Sequence, residues 1–203
     1  MHIDIISKGL QPFSVVLQEG IGFKIKSGCT LNQFLLEICG FTNDYIEKRI
    51  KTAFINQKPV DNYDQAIIHD QDIIGLSGAM PGLVGATFRK NSVLSPFRSH
   101  ISFNRLQDSE PLKGKNDAII TLRLFNILIN ETGPGLLKKG VLIQGQALKA
   151  ILETERSTKD SLIKAIKFNG LICDWKTCND YLRHIQNNEC VFSVIKIPSF
   201  QSA

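Results

Sequence analysis

The chain has 203 residues, 43% of them hydrophobic and 21% charged, with a formal net charge of +5. Those proportions are ordinary for a globular protein, exclude a disordered tail, and allow one large domain or two small ones. The opening "MHIDIISKGL" lacks the basic n-region and apolar core of a signal peptide, and no apolar run approaches the ~20 residues that span a bilayer, so the expectation is a soluble, cytoplasmic protein with no membrane partner. The five cysteines, Cys29, Cys39, Cys173, Cys178 and Cys190, are odd in number, which fits free buried thiols better than a secreted disulfide framework. Charge is uneven. Residues 1–87 carry more acidic than basic side chains, whereas 88–105 hold Arg89, Lys90, Arg98 and Arg105 with no acid.

In chain order, "HIDIIS" and "FSVVLQ" are β-branched and partly alternating, which predicts two strands. "FKIKS" predicts another, with Phe23 and Ile25 inward and Lys24 and Lys26 outward. The period then changes. Leu31, Phe34, Leu35 and Ile38 recur at helical spacing behind a Thr30 cap, and Gly40 ends the helix. "TNDYIEKRI" adds a second short helix. "TAFIN" is strand-like, "NQKP" turns the chain, and Val60 is a short strand or a packing residue. "IIGLS" reads as a buried strand after an acidic turn. Two strands, a helix across them and later strands completing a mixed sheet is the plan of a β-grasp, or ubiquitin-like, domain over residues 1–87.

Residues 88–116 are rich in Ser, Pro and Gly and predict a connector. Its length predicts that part of it pairs or packs, with a strand around Ile101 and Phe103. The remainder, 117–203, predicts a second small α/β or α+β domain. "DAIITLRLFNILIN" fits either a helix ended by Gly133 and Pro134 or a strand feeding a shorter helix. "GVLIQG" predicts a strand, "QALKAILETE" a helix, and "STKDSLIKAIKFNG" a helix capped by Ser157 and ended by Gly170. "LICDW" and "CVFSVIKIP" read as strands flanking an amphipathic helix over "TCNDYLRHIQNN". No internal repeat is evident. The fold class expected is α+β.

The segment "AFINQKPVDNYDQAIIHDQDIIGLSGAMPGL" resembles the C-terminal half of the small sulfur-carrier β-grasp proteins, the thiamine-pathway carrier and the small subunit of molybdopterin synthase. "INQKPV" stands at the family's V-N-G turn and "DQDIIGL" at its D-G-D-x-I turn. The resemblance covers about residues 1–85. It implies a sulfur carrier whose C-terminal glycine is adenylated and thiolated. This sequence has no Gly-Gly pair, and the chain continues past Gly82 and Gly85, so that chemistry requires cleavage after one of them. Fold similarity alone does not transfer the function.

Other chemistry is weakly represented. Gly75, Gly78, Gly82 and Gly85 match neither the G-x-x-x-x-G-K-[ST] nor the G-x-G-x-x-G phosphate loop, and Pro81 removes a donor. They read as an exit turn that needs close packing or positive φ. Cys173, Cys178, His184 and Cys190 are spaced too widely for a usual structural zinc site, so no metal or cofactor is expected. Cys29, Cys39 and Cys178 with His69, His100 and His184 lack the context of a nucleophilic pair, and Asp70 and Asp72 read as a polar turn. No catalytic residue is assigned, and an enzyme is the less favoured class. The expected role is a protein-binding or adaptor module that contacts a protein partner or its own copy. Its predicted contact is Met80, Phe88, Arg89, Lys90, Phe97, Arg98 and Arg105, since exposed aromatic and Arg side chains dominate such contacts. The alternative is RNA binding by the same cation–aromatic segment.

Overall fold

The computed structural model describes residues 2–90, 92–103, 117–174, 177–178, 180 and 190–197, which form an α+β protein. β1 (His2–Ser7) buries Ile3 and Ile5 on one side. "FSVVLQ" is helical and not the expected strand. A 3-10 turn over Gln11–Phe13 leads into α1 (Ser14–Glu19). Pro12 suits the first turn, and Phe13, Val16 and Leu17 at i, i+3, i+4 are buried. Burying that stripe outweighs the strand preference of two valines. In β2 (Ile21–Lys26), Phe23 and Ile25 are buried and Lys24 and Lys26 exposed, as the alternation predicts.

Thr30 caps α2 (Leu31–Gln33) through a reciprocal box with Gln33, and the helix widens into a π turn over Phe34–Ile38. Gly40, at φ +72°, ends it. Phe34 meets Phe23 edge-on at 5.6 Å, which seats the helix on the sheet. α3 (Asn43–Arg49) follows behind a Thr42 cap. β3 (Thr52–Ile55) turns through Asn56 and Gln57, both at positive φ, into β4 (Lys58–Pro59). Val60 packs, at 3% exposure. β5 (Ile73–Ser77) is the expected buried strand. After it come α4 (Gly82–Phe88) and a 3-10 stretch over Ser95–Ile101, begun by Pro96. Ile101 thus closes a helix, and Phe103 donates its N–H to the Pro59 carbonyl of β4 at 2.8 Å, while the rest of the strand expected around these residues lies outside the described residues.

β6 (Asp117–Phe125) settles the open alternative as a strand, with Ala118, Ile120, Leu122 and Leu124 all buried. α5 (Ile127–Lys139) runs through Gly133 and Pro134, because buried Leu136 and Leu137 continue its stripe beyond them. Gly140, at φ +95°, precedes β7 (Val141–Gln144), and α6 (Gly145–Ser157) follows. The largest departure is "STKDSLIKAIKFNG". Ser157 closes α6, and Ile163–Phe168 is a strand, β8. Its Ile163, Ile166 and Phe168 are buried where β8 pairs antiparallel with β1, and this distant partner decides a locally ambiguous pattern. Asn169 and Gly170, both at positive φ, turn the chain into β9 (Leu171–Cys173). Of the helix expected at "TCNDYLRHIQNN", Thr177, Cys178 and Asp180 are helical and the rest lies outside the described residues. β10 (Cys190–Lys196) is the last described strand.

Contacts divide the chain into two compact units, which differ from the 1–87 and 117–203 division expected from sequence. A terminal unit combines Met1–Ile21 with Asn130–Ala203, and a central unit is Gly22–Ile129. The terminal unit orders its strands β7-β10-β1-β8-β9, with β1 parallel to β10. The central unit orders its strands β4-β3-β5-β6-β2, with β5 parallel to β6 and antiparallel to β3. The non-contiguous terminal unit follows from the pairing of β1 with β8 and β10 across long sequence distances.

The described elements also repeat. The run β1-α1-β2-α2-β3-β4-β5 has its counterpart in β6-α5-β7-α6-β8-β9-β10, with α3 an addition to the first and the helical residues at 177–178 and 180 an addition to the second. Asn56–Gln57 and Asn169–Gly170 make the same left-handed two-residue turn in the two hairpins, and Gly20 and Gly140 stand at positive φ before β2 and β7. The two-residue hairpin needs that conformation for its twist to match the flanking strands. The repeat escapes a residue-by-residue comparison because what recurs is turn chemistry and order.

Candidate functional site

The predicted contact segment follows β5, and a small polar bracket holds its start. Ser77 Oγ donates to the Ala79 carbonyl at 3.1 Å, and the Asn126 side-chain amide donates to Ser77 Oγ at 3.1 Å and also to the Ala79 carbonyl. Asn126 reaches this position from a φ of +57° between β6 and α5. The chain next enters α4 over itself. A Cβ on Gly85 would lie 1.8 Å from the Met80 carbonyl oxygen, so only glycine permits that crossing. Gly78 and Gly85 therefore serve close packing, and Gly82, at φ +71° with nothing near its Cβ position, serves the turn.

The seven predicted residues have different fates. Arg98 is 2% exposed, and all three nitrogens of its guanidinium are hydrogen-bonded. Nη1 and Nη2 donate to the two Asp61 carboxylate oxygens at 2.9 and 2.6 Å, Nε donates to the Thr87 carbonyl at 2.7 Å, and Nη1 also donates to Ser102 Oγ at 2.7 Å. This corrects its assignment as an exposed anchor: a bidentate carboxylate partner repays the desolvation of a guanidinium, and Arg98 instead pins the 3-10 stretch to α4. Phe88 packs edge-on against Phe54 at 5.7 Å. Lys90 Nζ lies 4.3 Å above the Tyr63 ring. Met80 is half-buried, Arg89 is exposed, and Phe97 is 83% exposed. Arg105 lies outside the described residues.

The sequence reasoning missed four apolar neighbours of this set. Leu83 is 75% exposed and Val93 90% exposed, and Val84 and Ile101 are also exposed. With Phe97 they make residues 83–101 unusually apolar on the outside. The signal was present: "GLVG" holds two adjacent large apolar residues between glycines, too short a stripe to bury in a core.

Beside this segment the outer face of the central sheet is hollow. Alternation along β5 turns Ile74 and Leu76 inward, to full burial, and Ile73, Gly75 and Ser77 to the other side. Gly75 stands between Phe54 of β3 and Arg123 of β6 in the strand register. With no side chain at Gly75, the sheet floor lies open between Phe54 and Phe125. A concavity of about 470 Å³ results, closed at one end by Met80 and Pro81 and reached by Gln57 and Asn126. Arg123 lines it with a guanidinium that has no hydrogen bond or ion pair to a described residue. These residues were overlooked because "AIITLRLF" was open to a helical reading; as a strand, it sends Arg123 and Phe125 to the same face.

Four of the groups considered for catalysis have a structural setting of their own. Burial pushes the Cys29 thiol up and the Cys178 thiol up to about 11, away from the thiolate that a nucleophile requires. Asp72 is buried and accepts from the Asn56 side chain at 2.6 Å and the His69 N–H at 2.8 Å, bracing the turn before β5. Asp70 accepts the Ile119 N–H at 2.7 Å, which, with the Gln71 side chain, holds its carboxyl below the usual range. Both carboxylates are turn anchors. His184, from the cysteine–histidine set, lies outside the described residues. No described helix is long and apolar enough to cross a membrane. Compared with family models, with curated proteins and with solved structures, the chain matches none of them.

Proposed function

We propose that this protein acts by binding another protein, and that its central unit is a β-grasp variant serving as the scaffold. The strand order β4-β3-β5-β6-β2, the central parallel pair and the helix on one face support the scaffold reading. β6 takes the place of a β-grasp first strand although it follows β5 in the chain. The observation that carries the binding role is the ridge over residues 83–101. It exposes Leu83, Val84, Val93, Phe97 and Ile101 and carries Arg89, Lys90 and His100 with no acidic residue. Exposed apolar groups rimmed by one sign of charge mark interaction surfaces. The partner chemistry that fits is an apolar patch bordered by Asp and Glu. Arg98 and its four hydrogen bonds hold the ridge in shape before any partner arrives, which limits the ordering cost of binding.

A photo-crosslinking residue at Phe97 tests this in cells. The expected result is a discrete adduct that disappears when Leu83→Asp is added. An adduct pattern identical to that from the same residue at exposed Lys24 overturns the proposal. RNA binding keeps Arg89 and Lys90 among the described cations but loses Arg98 to Asp61; it predicts heparin retention that collapses with salt. A sulfur-transfer role requires cleavage after Gly82 or Gly85, and an intact mass ending at either residue would support it.

A further inference from the structure

We propose that the groove over Gly75 is a binding site for a small aromatic monocarboxylate. Its volume of about 470 Å³ falls in the range of small-molecule pockets. Phe54 and Phe125 flank a floor made of Gly75 backbone, with ring atoms 3.9 and 3.4 Å from where a Cβ on Gly75 would stand, and both line the concavity as apolar walls on which a flat ring can stack. A glycine inside a strand weakens the strand and marks a place where another group approaches the backbone closely.

Charge selects the class. Among the described residues the groove is lined by one cation, Arg123, and by no carboxylate. An unpaired guanidinium beside apolar walls suits a single carboxylate, whose two oxygens match its fork. The amides of Gln57 and Asn126 stand at the same site. The Asn126 NH2 is spent on Ser77 and Ala79, which fixes its side chain in place. An added peptide strand does not fit, because β5 is paired on both edges, to β3 and to β6. The ligand therefore enters on the face of the sheet and is recognised by ring and charge. This site stands independently of the protein-binding ridge.

The test is a titration of the full chain with 2-naphthoate, followed by amide NMR shifts and calorimetry, with 2-naphthalenemethanol as the neutral counterpart. Saturable shifts are expected at Phe54, Ile73, Gly75 and Arg123. Arg123→Gln, an exposed position, is expected to weaken naphthoate about tenfold while leaving the alcohol unaffected. Gly75→Val is expected to abolish binding of both. A Cβ at this position has room, its nearest neighbours being Phe125 Cε2 at 3.4 Å and Phe54 Cβ at 3.8 Å. The proposal is overturned if naphthoate causes no saturable shift up to its solubility limit. Equal binding of acid and alcohol, or binding retained in a folded Gly75→Val protein, also overturns it.

Discussion

Each unit has a parallel strand pair at the heart of its sheet, and the outer faces of those pairs are finished differently. In the terminal unit, Phe192 stands opposite His2 across β10 and β1, with their rings edge-on at 5.2 Å. Gly140, just before β7, leaves room for the Phe192 ring: a Cβ there would lie 2.4 Å from it. In the central unit, Gly75 stands opposite Arg123 across β5 and β6, and the Phe125 and Phe54 rings stand beside the glycine without filling the concavity beyond it. The first run of elements then continues into α4 and the 3-10 stretch, carried beside the hollow. A common order of elements thus supports a self-covered face in one unit and an open one in the other. Function is sought where the face is open, since the residue that would close it is missing.

The largest expected effect concerns what fastens the ridge. Asp61→Ala strips the buried Arg98 guanidinium of its carboxylate and should cost about 3 kcal/mol in urea unfolding. Arg98→Ala should cost less, because the Asp61 side chain it leaves behind is 40% exposed and keeps water. Equal losses would mean that the ridge is not held by that pair, and would blur the contrast between the units.

Exchanging the finishes is the intermediate test. Phe192→Ala opens a half-covered face and should destabilise by about 1 kcal/mol, since the ring is 39% exposed to begin with. Gly75→Val fills the hollow with a strand-favouring side chain and should change stability by less than about 0.5 kcal/mol. A large loss from Gly75→Val would show that the glycine is needed for packing, and the open face would lose its claim to be a site.

The smallest effect is electrostatic. Asp70 is drawn below its ordinary value by the Ile119 N–H, a tie between the turn before β5 and β6. Its stabilising contribution is complete above the ordinary aspartate range and is lost as pH falls through the lowered folded value. Asp70→Asn should lower stability slightly at neutral pH, with the difference from the unmodified protein vanishing below about pH 4, so that the acid limb is flatter. An acid limb unaltered by the substitution would remove that tie.

Legibility in the sequence tracked how local each signal is. The Thr30 cap, the Gly40 stop, the β2 alternation and the turn at Asn56–Gln57 depend on residues within a few positions of each other, and all appear where the pattern places them. Of the site, Phe97 and Arg89 were identifiable as exposed members of a basic, aromatic segment. Arg98 was not distinguishable from them, because Asp61, which buries it, lies far back in the chain.

What the sequence determined by itself was the α+β class, the Thr30 cap, the Gly40 stop and the Asn56–Gln57 turn, since each follows from composition or short-range sterics. What only tertiary structure decided was the assignment of "IKAIKF" to a strand, the non-contiguous terminal unit, the burial of Arg98 and the hollow at Gly75. Each of these depends on a partner far away in sequence, and a strand's partner is chosen by the burial it completes, a quantity that no local window contains.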